Sequence, residues 1–173
     1  ASFQLTGSYE AGSITVGGDG NIHYVPPVSI TGTAGEDSIV GTALNDTLSG
    51  VAGDDTLIGL DGADIIDGGA GADLISGGAG SDDLTGGLGS DTFTGTLAQF
   101  DGDAIADFQE GDVIEVTDVA LTPAALTVSE AGGITTVAID SNGDGIADAS
   151  FQLTGSYEAG SITVGGDGNI HYV

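Results

Sequence analysis

Aspartate recurs at every ninth position through the middle of the chain. From Gly32 to Thr94 the sequence divides into seven nonapeptides, and the sixth residue of each one is aspartate. These residues are Asp37, Asp46, Asp55, Asp64, Asp73, Asp82 and Asp91. Ordinary Asp–Gly turns of a β-protein would not keep this phase through seven copies, so the spacing indicates a ligand role that the carboxylates share.

The other fixed positions of the nonapeptide predict short strands joined by tight turns. The first position is always glycine, and the fourth is glycine in every copy except at Leu44. Glycine supplies the positive-φ backbone that such turns need. The eighth position is always large and apolar, as expected for a strand with one inward side chain. These residues are Ile39, Leu48, Leu57, Ile66, Ile75, Leu84 and Phe93. Two nonapeptides then complete one coil, and loops two repeats apart stack.

Stacked loops bring their aspartates together, and this has a chemical consequence. Carboxylates a few ångströms apart repel each other, so a column of them needs a cation. Calcium fits best because it accepts six to eight oxygen ligands in flexible geometry, carboxylates and backbone carbonyls together. Magnesium prefers a tighter octahedron and fits less well. Zinc favours histidine and cysteine, which residues 32–94 lack.

Composition narrows the possible functions. The chain has 173 residues, no lysine or arginine, 27 acidic residues and a formal charge of −27. Nucleic acids and anionic membrane surfaces are therefore excluded as expected partners. With 33 glycines and 5% aromatic residues, a conventional core is difficult to build, and a structural metal would help. Disulfides are excluded because cysteine is absent. No segment approaches the length of an apolar membrane span, and we expect no signal segment at the amino terminus.

The nonapeptide phase of residues 32–94 resembles the RTX (repeats-in-toxin) calcium-binding repeat. The resemblance implies an all-β fold, a right-handed parallel β-roll, which antiparallel strands would follow here. In that family each ion lies between one loop and the loop two repeats later. Both loops contribute their sixth-position aspartate and backbone carbonyls.

Carried over to this chain, the resemblance implies five calcium ions, three along one edge and two along the other. Their ligand sets are Thr33, Gly35 and Asp37 with Gly50, Ala52 and Asp55; Thr42, Leu44 and Asp46 with Gly59, Asp61 and Asp64; Val51, Gly53 and Asp55 with Gly68, Ala70 and Asp73; Leu60, Gly62 and Asp64 with Gly77, Ala79 and Asp82; and Gly69, Gly71 and Asp73 with Gly86, Leu88 and Asp91.

Some positions depart from the family pattern. The second position, often glycine in the family, is Thr33, Thr42, Val51 and Leu60 in the first four repeats. Leu44 replaces the fourth-position glycine of the second repeat. These departures predict weaker or distorted sites, above all at the Asp46–Asp64 pair.

Two acidic segments after the repeats could add one or two ions. Residues 103–114 resemble the segment that closes the roll in the same family, and Asp103 or Asp107 could complete a last site above Asp91; acidic turns around a closing strand are the alternative. Further on, four residues occupy the first, third, fifth and ninth positions of an EF-hand-like loop. They are Asp140, Asn142, Asp144 and Asp148. No glutamate follows at the twelfth position, so a tight hairpin turn between strands is the alternative. Alternating residues at 125–128 and 134–139 predict antiparallel strands.

A second repeat operates on a larger scale. Residues 1–25 recur letter for letter as residues 149–173, which favours a window cut from a tandem array over an engineered copy. We therefore divide the chain into the end of a preceding unit (1–25), a Pro-Pro joint (26–31), the roll (32–94), a closing segment with hairpins (95–148) and a terminal strand segment (149–173). Strands are predicted at 151–153, 162–164 and 170–173. In the amino-terminal copy, residues 3–5 lack a preceding hairpin partner, which predicts head-to-tail contact between copies.

Catalytic chemistry is not indicated. The two histidines, His23 and His171, are one position in two copies, and each lies in a strand without a nucleophile or zinc motif nearby. We expect a secreted bacterial structural module that folds on binding calcium and is exported by type I secretion. It would form part of a surface layer, filament or giant adhesin. The alternative is the stabilising tail of a secreted RTX enzyme whose catalytic domain lies elsewhere.

Overall fold

The computed structural model describes residues 13–16, 22–155, 157 and 160–173. The described residues form seventeen strands, one short helix and one 3-10 turn. The strands are β1 (Ser13–Val16), β2 (Ile22–Val25), β3 (Ser29–Thr31), β4 (Ser38–Val40), β5 (Thr47–Ser49), β6 (Thr56–Asp61), β7 (Ile65–Ala70), β8 (Leu74–Ala79), β9 (Asp83–Leu88), β10 (Thr92–Gly95), β11 (Ala104–Ile105), β12 (Val113–Val116), β13 (Leu126–Ala131), β14 (Ile134–Ile139), β15 (Ala149–Thr154), β16 (Ile162–Val164) and β17 (Ile170–Tyr172). Helix α1 is Leu97–Phe100, and the 3-10 turn is Pro123–Ala125.

Successive nonapeptides alternate between two parallel sheets. Strands β3, β5, β7, β9 and β11 are neighbours in one sheet, and β4, β6, β8, β10 and β12 are neighbours in the other. Through the repeats each residue pairs with the residue eighteen positions later, as Ser38 does with Thr56 and Ile66 with Leu84. Two nonapeptides therefore make one coil. The predicted all-β fold, a parallel β-roll followed by antiparallel strands, is confirmed.

The eighth-position side chains form the core between the two sheets. Leu57, Ile66, Ile75 and Phe93 are all fully buried, each at 0% exposure. Their neighbours at the seventh and ninth positions face outward, as the period of a strand requires. Because each strand buries one large side chain, hydrophobic burial is distributed along the roll within one continuous core.

The coils continue beyond residue 94, after an insertion. In β10 the register to the next strand is Thr92 with Val113, a step of 21 residues instead of eighteen. The three additional residues are accommodated at α1, whose Leu97 and Phe100 turn into the core. Strands β11 and β12 then stack on β9 and β10, so the roll extends past the predicted boundary at Thr94.

The carboxyl-terminal segment closes the far end of the roll. Strands β13, β14 and β15 form the predicted antiparallel arrangement, and β15 also pairs in parallel with β11, setting Ile105 beside Leu153. The hairpin of β16 and β17 joins the other sheet through β12, where Ile114 pairs with Ile170. Phe151 packs against Phe100 with ring centroids 5.8 Å apart. Residues 149–173 thus cover the last strand of both sheets.

The amino-terminal copy of this segment shows the same hairpin where it is described. Strands β1 and β2 pair antiparallel with Ile14 opposite Tyr24, which corresponds to Ile162 opposite Tyr172 in β16 and β17. The predicted strand at residues 3–5 lies outside the described residues, so its partner stays a prediction. No helix in the described part of the chain is long and apolar enough to cross a membrane.

Replacing Ile66 by alanine should test the core. Ile66 is fully buried, whereas its neighbour Ile65 is 53% exposed. Truncation of a buried isoleucine removes contacts and leaves a cavity, and we expect Ile66→Ala to lower the free energy of unfolding by about 2–5 kcal/mol. Ile65→Ala, the matched control, should change it by less than about 1 kcal/mol. Denaturant unfolding in saturating calcium measures both, and equal losses would contradict the assignment of inward and outward positions.

Candidate metal centre

From Asp55 onward, one oxygen of each repeat aspartate is held by the loop below it. The backbone N–H of Asp37 donates to Oδ1 of Asp55 at 2.7 Å, and the N–H of Asp46 donates to Oδ1 of Asp64 at the same distance. The bond repeats every eighteen residues through Asp73, Asp82 and Asp91. Two columns of carboxylates result, one beside each sheet, and each carboxylate has a fixed orientation because its partner is backbone.

The second oxygen of five of these carboxylates is buried without a hydrogen-bond partner. The atoms are Oδ2 of Asp55, Asp64, Asp73, Asp82 and Asp91. None of these residues is more than 2% exposed. A buried charged oxygen without a partner costs more than an ordinary unsatisfied group, and native proteins leave few of them. The roll therefore contains five anionic oxygens that require a positive partner.

Each of these oxygens lies close to the first-position glycine of its own repeat. A Cβ on Gly50 would overlap both Oδ2 of Asp55 and the carbonyl oxygen of Gly68. The same overlap occurs at Gly59 with Asp64 and Gly77, and at Gly68 with Asp73 and Gly86. A carboxylate oxygen and the first-position carbonyl of the loop two repeats later thus converge on one point. Glycine is required there because a Cβ would overlap both oxygen atoms.

Second- and fourth-position carbonyls also point toward the loop above. The carbonyl oxygens of Leu60 and Gly62 are the atoms nearest to a Cβ placed on Gly78 and Gly80. Gly53, Gly69 and Gly71 repeat this arrangement toward Gly71, Gly87 and Gly89. The third-position carbonyls of Ala70, Ala79 and Leu88 accept the N–H groups of Gly53, Gly62 and Gly71 at 2.8 Å, and their role as calcium ligands stays a prediction.

Val51 and Leu60 adopt the backbone that glycine adopts in later repeats. Their φ angles are 85° and 87°, close to the 104° of Gly69 at the equivalent position. Positive φ costs a residue with a Cβ roughly 1–2 kcal/mol. Despite this cost, the loops of these two repeats have the same backbone conformation as the glycine loops. The distortion expected from the sequence at Val51 and Leu60 is therefore not seen in their backbone.

The first two loops are closed by threonine. Thr33 donates to Oδ2 of Asp37 through its N–H at 2.6 Å and through Oγ1 at 2.9 Å. Thr42 makes the same two bonds to Oδ2 of Asp46. Neither the second nor the fourth residue of these loops, including Gly35 and Leu44, has positive φ. The departure expected at Thr33 and Thr42 therefore appears as a different loop conformation.

The aspartate columns continue into the closing segment through Asp103 and Asp112. Oδ1 of Asp103 accepts the N–H of Asp82 at 2.9 Å, and Oδ1 of Asp112 accepts the N–H of Asp91 at 3.0 Å. Asp103 thus lies above Asp82, and the residue above Asp91 is Asp112, which the sequence reasoning did not include among the ligands. Its signal was present: Asp103 and Asp112 are nine residues apart, and each is followed two residues later by isoleucine.

Asp107 has another role at the same end. Its carboxylate accepts the N–H groups of Gly86 and Gly87 at 2.9 and 2.7 Å, and Gln109 donates its side-chain amide to the carbonyl of Gly87 at 2.7 Å. These contacts replace the loop that a further repeat would have placed there. The predicted role of Asp107 as a metal ligand stays a prediction.

Burial raises the pKa of several column carboxylates, from Asp64 onward. The pKa of Asp103 is raised to about 7, and the pKa values of Asp64 and Asp91 are raised to about 6. Desolvation is the largest cause in each case, and neighbouring carboxylates add to it, while the backbone N–H donors act in the opposite direction. A positive ion beside these groups would reverse the balance and favour the ionised form.

The EF-hand-like segment forms the loop between β14 and β15. Oδ1 of Asp140 accepts the N–H of Gly143, and its Oδ2 accepts the N–H of Gly145. Ser141 donates its hydroxyl to Asp148 and is the main cause of the lowered pKa of that carboxyl. Asp144 accepts the N–H of Ile146. Residues 140–148 thus form a loop held by its own carboxylates, and calcium binding by Asp140, Asn142, Asp144 and Asp148 stays a prediction.

The donor set of the roll suits calcium. Among the described residues no three histidine, cysteine, aspartate or glutamate side chains come together as a metal cluster. A cation between two loops would have the two column aspartates as its carboxylate ligands and would take its remaining protein ligands from backbone carbonyls. Calcium accepts such mixed oxygen sets, whereas zinc does not favour them. The residues present therefore fit a calcium ion, which would neutralise the unpaired carboxylate oxygens.

The raised pKa values predict how the metal-free protein responds to pH. Because the folded state holds protons that the unfolded chain releases, stability without metal should fall as pH rises from about 4 to about 7. In chelator, far-UV circular dichroism should show more β-structure at about pH 5 than at about pH 8. Asp103→Asn should recover part of the signal at the higher pH, while Asp61→Asn, an exposed control, should not. A signal that increases with pH in chelator would contradict the assignment.

Comparison with known proteins agrees with this geometry. The family model for the RTX calcium-binding nonapeptide repeat (4 copies) matches residues 31–66, 40–75 and 58–93. No curated protein matches the chain.

Among solved structures, the chain is similar to the AlgE6R3 subunit of the Azotobacter vinelandii mannuronan C5-epimerase, at 27% identity over 71% of this chain and 72% of that one, with a TM-score of 0.34. The AlgE6R2 subunit of the same enzyme matches at 27% identity over 76% of this chain and 85% of that one, with a TM-score of 0.37. The repeat phase, the stacked loops and the family match agree that residues 31–93 are RTX calcium-binding nonapeptide repeats, which form a β-roll.

Proposed function

We propose that this chain is a calcium-dependent structural module of a secreted bacterial protein, and that calcium controls its folding. The observation that carries the proposal is the set of five buried, unpartnered carboxylate oxygens between stacked loops. These oxygens make the metal-free roll unfavourable at neutral pH, and a cation between the loops removes the penalty. Binding energy thereby becomes folding energy, as in other small domains that depend on a metal.

Electrostatics of the whole chain supports the same dependence. The formal charge is −27, and there is no lysine or arginine to oppose it. Five calcium ions would leave about −17, so the module stays acidic and soluble even when loaded. Abundant glycine adds to the entropy of the unfolded chain. A chain of this kind would stay unfolded where calcium is scarce, which suits export by type I secretion, and would fold outside the cell.

The identical sequences at the two ends of the chain support an arrangement of identical units in tandem. Residues 149–173 cover the last strand of both sheets through β15 and β17. Residues 1–25 have the same sequence and, where described, the same hairpin register. The hairpin of β1 and β2 therefore has the sequence and register of the hairpin that pairs with β12. We propose that residues 1–25 of one copy contact the carboxyl-terminal end of a neighbouring copy, as in a surface layer, filament or giant adhesin.

A catalytic role is not part of the proposal. The described histidine side chain, His171, pairs with Asp167 at 3.0 Å on the surface of the closing hairpin. The buried carboxylates of the roll are bonded to backbone and face gaps lined by carbonyl oxygens, which suits an ion better than an organic substrate. We infer that the module stiffens or spaces other parts of a longer protein.

Folding on calcium can be tested with two adjacent aspartates. Asp82 is 1% exposed and has an unpartnered oxygen, whereas Asp83 is exposed. Far-UV circular dichroism of the wild type should change from low to high β-content as calcium is titrated into chelated protein. Asp82→Asn should raise the calcium concentration at the midpoint by roughly tenfold or more, because charged ligands set the affinity, and Asp83→Asn should leave it unchanged. Equal β-content in chelator and in calcium at neutral pH would overturn the proposal.

Head-to-tail contact can be tested by changing the amino-terminal copy alone. Ile170, the counterpart of Ile22, is fully buried in the closing hairpin, whereas Gln152, the counterpart of Gln4, is exposed. Ile22→Asp should therefore abolish concentration-dependent association in calcium, and Gln4→Glu should preserve it. Analytical ultracentrifugation measures both variants. A wild type that stays monomeric at high concentration in calcium would contradict the contact.

A further inference from the structure

The first coil of the roll differs from the later coils at the position where an ion is expected. In the five loops that end at Asp55, Asp64, Asp73, Asp82 and Asp91, Oδ2 is buried and unpartnered. In the two loops that end at Asp37 and Asp46, the same oxygen accepts two bonds from threonine. The change is abrupt: Asp46 and Asp55 are consecutive repeat aspartates, both 2% exposed, and only Asp55 lacks a partner for Oδ2.

The backbone changes at the same boundary. From Val51 onward, the second and fourth residues of each loop have positive φ, as at Leu60 (87°) and Gly62 (129°). No residue of the loops at 32–37 and 41–46 has positive φ. The atoms nearest a Cβ on Gly53 are the carbonyl carbon of Gly35 and the nitrogen of Glu36, whereas at Gly80 the nearest atom is the carbonyl oxygen of Gly62. The fourth-position carbonyl of the first loop is therefore turned away from the gap.

The threonine contacts compete with an ion for the same oxygen, because the two hydrogen bonds occupy both lone pairs of Oδ2. Calcium binds oxygen at about 2.3–2.6 Å, and Oδ2 of Asp37 already has the Thr33 nitrogen at 2.6 Å with its hydrogen between the two atoms. A cation there would face the positive end of the N–H and O–H dipoles. Thr42 places the same donors on Asp46. Two hydrogen bonds thus supply the partial positive charge that an ion supplies elsewhere.

At the carboxyl-terminal end, each column of carboxylates continues by one aspartate beyond the repeats. Asp82 and Asp91 have unpartnered Oδ2 atoms, and the residues stacked above them are Asp103 and Asp112. The five open positions are therefore displaced by one coil toward the carboxyl terminus relative to the five positions that the repeat pattern alone implies.

We propose that Thr33 and Thr42 take the place of calcium in the first coil, and that the five ions belong to the loops ending at Asp55, Asp64, Asp73, Asp82 and Asp91. The proposal rests on the proposed function in that the chain must bind calcium. The amino-terminal coil then forms without metal and offers a finished surface on which the first metal-dependent coil stacks. The threonines are positioning residues that decide where ion binding begins.

Native mass spectrometry of the full chain, titrated with calcium chloride, counts the ions directly. The wild type should bind five. Thr42→Gly removes the hydroxyl and permits the positive φ of the open loops, so it should bind six, and Thr33→Gly with Thr42→Gly should bind seven. Val51→Gly is the matched control, because its loop is already open, and should bind five. Thr42→Ser keeps both donors and should also bind five.

A second pair of variants covers the case in which the threonine variants do not fold. Asp46→Asn should keep all five ions because Oδ2 of Asp46 has no ion, whereas Asp64→Asn should lose at least one and raise the calcium midpoint at least tenfold. Seven ions on the wild type, five on a folded Thr42→Gly variant, or equal losses from Asp46→Asn and Asp64→Asn would overturn the inference. A wild type that binds no calcium would instead overturn the proposed function.

Discussion

The stacking of one carboxylate above another every eighteen residues is the constraint on which the rest of the structure depends. From Asp55 onward, one oxygen of each repeat aspartate is fixed by the backbone N–H of the aspartate below, which sets the spacing of the coils. The other oxygen lies where a Cβ on the first-position residue would be, so glycine there follows from the carboxylate. The strands on either side are left with room for one inward apolar residue each.

At each end of such a stack, the last aspartate oxygens and backbone N–H groups have no further repeat to bond to, so other residues must supply their hydrogen-bond partners. At the amino-terminal end, the N–H of Val28 donates to Oδ1 of Asp46 at 2.6 Å, which replaces the aspartate of a missing repeat. At the other end, Asp103 and Asp112 continue the two columns while Asp107 and Gln109 bond to the last glycine loop. The closing strands then extend both sheets, so the last strands of the two sheets at that side are β13 and β16.

Much of this architecture could be predicted from the sequence because its period is short and strict. A nine-residue phase with glycine, aspartate and an apolar residue at set positions leaves one way to stack loops, and strand identity, core residues and the two columns follow. The sequence did not predict the loop conformation at positions where another residue replaces the second-position glycine. Thr42 and Val51 both replace the second-position glycine, but the threonine can bond to its own aspartate through a hydroxyl and an N–H. Valine has no such donor on its side chain and takes the positive-φ form instead. Asp112 could not be predicted from the nine-residue repeat because three additional residues at α1 interrupt the repeat before it.

The alternation of nonapeptides between two sheets also limits how this protein can change in length. Strand β15 continues the sheet that contains β11, and β17 continues the sheet that contains β12. Inserting a single nonapeptide within the repeats would exchange the last strands of the two sheets. Strand β15 would then lie beside the sheet that β17 normally extends, and β17 beside the sheet that β15 normally extends. Inserting eighteen residues would restore the match and lengthen the roll by one full coil. Evolution or design can therefore extend this module by repeats in even numbers, whereas an odd number would require a new closing segment.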